Sequence, residues 1–261
     1  MATDKVRFLF SSVLDDAFVS ASTETSGLPA ANVKDTLIRK VYRSTGRASE
    51  FVRFKASGGA TGFNCVVILN HSFTKNAVVT WSGHTSSNFT GCTLNTTLTV
   101  ATDSQGNVIP VLTHFYDSVQ TFLHTRLKVK DTGNASSTLD VGRVMAGRYT
   151  EPPRNLRDGF SIRTIDPSRV LRTAGREGYA NVRRQYREFT YSSFDMDEAE
   201  QDLFMGIYAE VGMHRSLVVA LDPVSRPHHN TIYCQFTAPV TRTHRVLRQM
   251  NLNEITFSEK N

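Results

Sequence analysis

Phe63–Asn70, FNCVVILN, is a nearly unbroken apolar run bounded by polar residues. Its length suits a strand and falls short of a helix, and its Val-Val-Ile centre favours extended backbone. An apolar run without alternation reads as a central strand covered on both faces. After the short link His71–Asn76 comes a second such segment, Ala77–Trp81 (AVVTW), which predicts a neighbouring strand. Outward from this pair the chain keeps the same character. Lys5–Phe10, Ile38–Arg43 and Glu50–Lys55 precede it, and Thr96–Val100, Val108–Thr113, Phe122–Val129 and Leu139–Met145 follow. Between them lie turn-rich stretches such as Ser20–Asn32, where Gly27 and Pro29 break regular structure. Many short strands with no strong helix predict an antiparallel β-sandwich or jelly roll over residues 1–147.

Gly147–Asn155 (GRYTEPPRN) is the linker, because Pro152–Pro153 cannot continue a ladder. The remainder, residues 148–261, predicts a smaller α+β domain. Strands are expected near Phe160–Ile165, Val182–Tyr191, Leu217–Leu221, Thr231–Phe236, Thr243–Leu247 and Glu254–Ser258. The one strong helix is Asp195–Val211, where Met196, Ala199, Leu203, Phe204, Ile207, Tyr208 and Val211 share a face. Asp195 with Glu198 forms a capping box and Gly212 ends the helix. The opposite face carries Asp195, Asp197, Glu198, Glu200, Asp202 and Glu210 without a Lys or Arg. Just upstream, Arg143 to Arg187 holds eleven Arg and four acidic residues. The complementarity predicts an intersubunit contact between Arg163, Arg169, Arg172, Arg176, Arg183, Arg184 and Arg187 and an acidic helix face of Asp197, Glu198 and Asp202. The same charges could instead pair within one chain.

The composition excludes several classes. Hydrophobic content of 39% and charged content of 21% describe a folded chain. No charged-then-apolar leader opens the sequence and no run is long enough to span a bilayer, so synthesis in the cytoplasm without membrane insertion is expected. Cys65, Cys92 and Cys234 lack the spacing of a disulfide framework or a zinc site. The net charge of +6 invites a nucleic-acid partner. In residues 148–261, however, 15 of the 16 basic residues are Arg, a usage that suits partly dried contacts with carboxylates. Protein contact is therefore favoured over nucleic acid.

No phosphate-binding loop, dinucleotide fingerprint, nucleophile elbow or zincin motif is present, so no catalytic residue, metal or cofactor is predicted. Ser57–Gly62 and Gly175–Gly178 read as turns, and His228–His229 as a solvated loop. Trp81 stands beside Ser82, Gly83 and His84. At a loop mouth its ring would stack on a sugar, with His71 and Asn70 as further glycan contacts; between sheets it would be core.

Ser26–Asp35 (SGLPAANVKD), Arg39–Gly46 (RKVYRSTG), the strand EFVRF and Asn64–Trp81 together resemble a discoidin- or galectin-like β-sandwich of tailed-bacteriophage virion proteins. Pro152–Phe194 with the helix and closing strands is similar to distal tail and tail-tip proteins. The familiar members place the ring-forming domain first, whereas here the sandwich leads. The resemblance implies a non-enzymatic virion protein of the phage tail. It would form a homo-oligomeric ring, hexameric or trimeric, that joins the tail tube to hub and fibre proteins. The alternative is a carbohydrate-binding module that attaches to a host surface glycan.

Overall fold

The computed structural model describes residues 5–153, 160–172, 178–191, 198–246, 249–252 and 255–260. Its chain divides into two compact units, Met1–Glu151 with Val218–Thr231, and Pro152–Leu217 with Ile232–Asn261. The linear division at Gly147 has no place for Val218–Thr231, which returns to the first unit.

The first unit is an antiparallel sandwich. One sheet orders β3 (Tyr42–Arg43), β10 (Asp140–Gly147), β5 (Thr61–His71) and β8 (Val111–Phe122). The other orders β2 (Phe18–Ala21), β4 (Glu50–Lys55), β9 (His124–Lys130), β6 (Val78–His84) and β7 (Leu94–Leu98). FNCVVILN is the middle of β5, flanked by β10 and β8, with Cys65 to Leu69 fully buried. Alternate residues of both sheets meet between them: Val66, Ile68, Leu112 and Val144 from one, Val52, Phe54, Val79, Trp81 and Leu127 from the other. A Phe or Leu side chain buried this way contributes about 1.5–3 kcal/mol, so this row anchors the unit. Outside these two sheets, β1 (Arg7–Leu9) pairs antiparallel with β15 (Leu217–Ala220).

Two local departures from expectation have clear causes. Ser20–Asn32 contains the end of edge strand β2 and the beginning of a 3-10 turn, Ala30–Lys34, that buries Ala30, Asn32 and Val33. Ile38–Arg43 pairs only at Tyr42–Arg43, because Ile38 crosses the sheet instead of joining it. The Asn70 amide donates to Ile38 O at 2.7 Å, and a Cβ on Gly142 would sit 2.3 Å from that oxygen. Only glycine admits this crossing.

In the second unit β16 (Thr231–Phe236), β19 (Ile255–Glu259), β14 (Tyr186–Tyr191) and β11 (Phe160–Ile165) are antiparallel neighbours. Phe236, Phe257 and Phe189 stand side by side across three of them, with ring centroids 4.6 and 5.7 Å apart. Helix α1 (Glu198–Val211) covers this row, Phe204 stacking on Tyr191 and Tyr208 meeting Phe236 edge-on. Phe204, Ile207 and Val211 are buried as the apolar stripe requires, and Gly212, at φ 56°, ends the helix. Glu200 breaks the predicted pattern: it is buried with Gln201, so the helix's acidic face is narrower than its sequence implies. Hairpins β12 (Arg169–Arg172) with β13 (Gly178–Asn181) and β17 (Arg242–Val246) with β18 (Gln249–Leu252) fill stretches in which the apolar pattern is weak.

Candidate functional site

Several described members of the Arg-rich stretch are engaged within their own units. Arg143 is only 5% exposed; both NH2 contacts go to Asp15, at 3.0 and 3.1 Å, within the first unit. Burial raises the Asp15 carboxyl despite the opposing Arg143 charge. Arg187 grips Glu259 at 2.7 and 3.2 Å, and Arg163 pairs with Glu188 across β11 and β14. These charges are answered inside their own units. Arg169, Arg183 and Arg184 remain exposed, as do Glu198 and Asp202 on the helix. Arg176 and Asp197 lie outside the described residues, as do the Asp195 cap and the side chain of Arg172.

The three proposed glycan contacts are structural. Trp81 is 0% exposed, its ring between Phe54 and Phe63 at centroid distances of 6.0 and 6.1 Å. It is core, and no sugar can reach it; the inward register of β6 decides this. Asn70 is held at φ 53° by its bond to Ile38. His71 is 6% exposed and stacks on Phe73, its Nδ1 accepting the Phe73 N–H at 3.2 Å. Burial, with the neighbouring His228, lowers His71 to about 3. His228 is half-buried rather than solvated, and its Nδ1 accepts the Thr113 N–H at 3.0 Å.

The face that gathers unanswered polar groups is the outward side of the five-stranded sheet. Strand pairing aligns Ser20, Arg53, Arg126, Ser82 and Asn95 in one row. The next rows hold Phe18, Lys55, His124 and His84 on one side and Phe51, Lys128, Thr80 and Thr97 on the other, with Lys130 beyond. The only carboxylate in these strands is Glu50, which shares the inward parity of Val52 and Phe54 and takes the Ser22 and Thr23 hydroxyls. Arg53, Lys55, Arg126, Lys128 and Lys130 therefore share a face with no acid of these strands.

The β6–β7 connection shapes this face. Phe89, at φ 53°, tucks its ring beneath Arg126 at 4.3 Å, with Arg53 at 5.7 Å. Arg53 also lies over Phe51 at 4.3 Å. A non-glycine residue held at positive φ costs about 1 kcal/mol or more, so the loop's surroundings must impose that conformation. The Nε atoms of Arg53 and Arg126 are buried without a hydrogen-bond partner. Burial lowers the Arg126 pKa, and the Arg53 charge lowers it further. Ser82 is 1% exposed and donates its Oγ–H to Asn95 Oδ1 at 3.0 Å, so the exposed Asn95 is the group this end of the row presents. Sequence reasoning missed the site because Arg53 and Arg126 sit in separate strands; the alternation in EFVRFK and HTRLKVK was the available signal.

Among the described residues no group of His, Cys, Asp or Glu could hold a metal ion, and no helix is long and apolar enough to cross a membrane. No protein-family model matches the sequence, and no curated protein matches it. Solved structures do match about half of the chain. One is the family 32 carbohydrate-binding module of Clostridium perfringens NanJ in complex with galactose, at 13% identity and a TM-score of 0.40, covering 55% of this chain and 99% of that one. Another is the lectin domain of lectinolysin complexed with Lewis B antigen, at 11% identity and 0.42, covering 53% and 96%. A third is a Streptococcus pneumoniae fucose-binding module, at 8% identity and 0.43, again covering 53% and 96%.

Proposed function

We propose that the first unit is a non-catalytic carbohydrate-binding β-sandwich whose ligand lies on the outward face of β2-β4-β9-β6-β7. One observation carries this reading: the cross-strand row that presents Ser20, Arg53, Arg126 and Asn95 on a pleated face, flanked by Thr80 and Thr97, with Ser82 of the same row buried at 1% exposure. Neighbouring strands lie about 4.8 Å apart, so Ser20, Arg53 and Arg126 stand at successive steps of that length and Asn95 two steps further on. The face is preformed on strands, which limits the ordering cost of binding. A glycan array probed with the full chain tests the reading, with galactose, fucose and Lewis B epitopes included because similar modules are named for them. Asn95→Ala with Thr97→Ala, both exposed outward positions, should weaken binding about thirtyfold if each lost hydrogen bond is worth about 1 kcal/mol. Unchanged binding in the double variant would move the site elsewhere; silence across the array would overturn the function.

A second reading concerns the second unit, as the assembling part of a phage tail-tip ring in the virion. It is favoured by the exposure of Val170 (64%), Leu171 (67%) and Val182 (80%) on and beside the β12–β13 hairpin. Exposed apolar side chains clustered on a hairpin are a liability in a monomer and an asset in a ring. Mass photometry of the full chain should then show a closed trimer or hexamer. A strict monomer at all concentrations would count against it.

A further inference from the structure

We propose that the outward sheet face selects an acidic polysaccharide, one bearing carboxylate or sulfate groups, and that Arg53 and Arg126 clamp the anion. This rests on the carbohydrate-binding reading above and adds the ligand's charge. Three observations support it. Arg53 and Arg126 are direct cross-strand partners, and like charges in that position repel. Among the described residues neither makes an ion pair, and both have a buried Nε without a hydrogen-bond partner. The surrounding cations, Lys55, Lys128 and Lys130, extend the positive field along β4 and β9 with no carboxylate among the outward positions. An anion between the two guanidiniums removes the repulsion and receives paired N–H donors in the planar geometry that favours arginine.

Single-stranded nucleic acid also carries regular negative charge, but its general binders stack bases on open aromatic faces. Here Phe51 and Phe89 are capped by guanidiniums, and Phe89 is buried. Only Phe18, at the sheet edge, offers a strongly exposed ring on this face. The Ser, Thr and Asn side chains beside the clamp suit sugar hydroxyls instead.

The test uses the full chain in biolayer interferometry at low and moderate salt. The probes are alginate for carboxylate, heparin for sulfate, dextran and galactan as neutral chains, and single-stranded DNA. The expected result is binding of alginate, heparin or both, at least tenfold tighter than the neutral chains and weakened by salt. Arg53→Gln with Arg126→Gln should abolish that preference. Because loss of Arg126 could disturb Phe89, Lys128→Glu at an exposed position provides a second arm and should also weaken acidic-chain binding several-fold. Equal binding of neutral and acidic chains, unaffected by these variants, would overturn the inference and leave the carbohydrate-binding function standing. DNA bound as tightly as the acidic chains would overturn it in favour of a general polyanion surface. Binding to no polysaccharide would remove the function itself.

Discussion

Arg53 on β4 and Arg126 on β9 lie directly opposite each other in an antiparallel ladder, their guanidiniums resting on the rings of Phe51 and Phe89. The pairing sets two effects of similar size against each other. Like-charge repulsion costs roughly 0.2–1 kcal/mol, while a surface cation–π contact returns about 0.5–1 kcal/mol. Arg53→Gln should therefore leave the thermal midpoint within about 3 °C of the parent, since 1 kcal/mol moves a domain of this size by about 2–4 °C. The same variant should lose ligand-induced stabilisation. Differential scanning fluorimetry with and without glycan measures both. A large fall in the unliganded midpoint would make Arg53 a structural residue.

Trp81 separates core from surface. With its ring fully enclosed by Phe54 and Phe63, Trp81→Ala should destabilise the first unit by about 3–5 kcal/mol. Urea unfolding reads this directly. Loss of glycan binding at undiminished stability would contradict the burial argument.

Acid should weaken the first unit. Burial lowers His71 to about 3 and lowers His114 and His228 as well. In the fold each is shifted toward its neutral form, whereas an unfolded chain takes up protons near pH 6.5. Between the folded and unfolded values the unfolded state binds more protons, so the stabilisation is complete above about pH 6.5 and is lost as pH falls toward 3. The geometry agrees in sign, because His71 and His228 accept backbone N–H groups through Nδ1 and must surrender those bonds on protonation. Thermal midpoints should fall from pH 7.5 to pH 5, and His228→Gln, which can still accept from Thr113, should flatten part of that slope. A midpoint independent of pH over this range would refute the assignment.

Helix α1 offers a contrast within one element. Glu198 and Asp202 are exposed and Glu200 is buried. Glu198→Lys with Asp202→Lys should change unfolding free energy by less than about 1 kcal/mol, as surface charges usually do. If the ring reading holds, that variant shifts mass photometry toward monomers. Glu200→Lys places an unmatched cation inside the unit and should unfold it. Equal damage from both changes would mean that the exposed charges serve the fold.

The sandwich was legible because apolar runs of strand length mark buried strands wherever they fall, as FNCVVILN and AVVTW do. Helix α1 was legible for the same reason, its apolar residues recurring at helical spacing. What stayed hidden depends on register. Whether Trp81 faces inward, whether Arg53 meets Arg126, and whether Arg143 finds Asp15 are all set by pairings between distant segments. Charge counting over Arg143–Arg187 suggested one arm. Among the described residues, Arg143 sits in a buried pair in the first unit, Arg163 and Arg187 in ion pairs on β11 and β14, and Arg169 is exposed on the β12–β13 hairpin.

The outward sheet face as a glycan surface is the central claim, and nitrogen–proton correlation spectra of the full chain titrated with an alginate oligosaccharide test it most directly. Shifts should concentrate at Arg53, Lys55, Arg126, Lys128, Asn95 and Thr97, including the arginine Nε–H resonances. Shifts confined to the loops around His71 and His228, with those resonances unmoved, would contradict it.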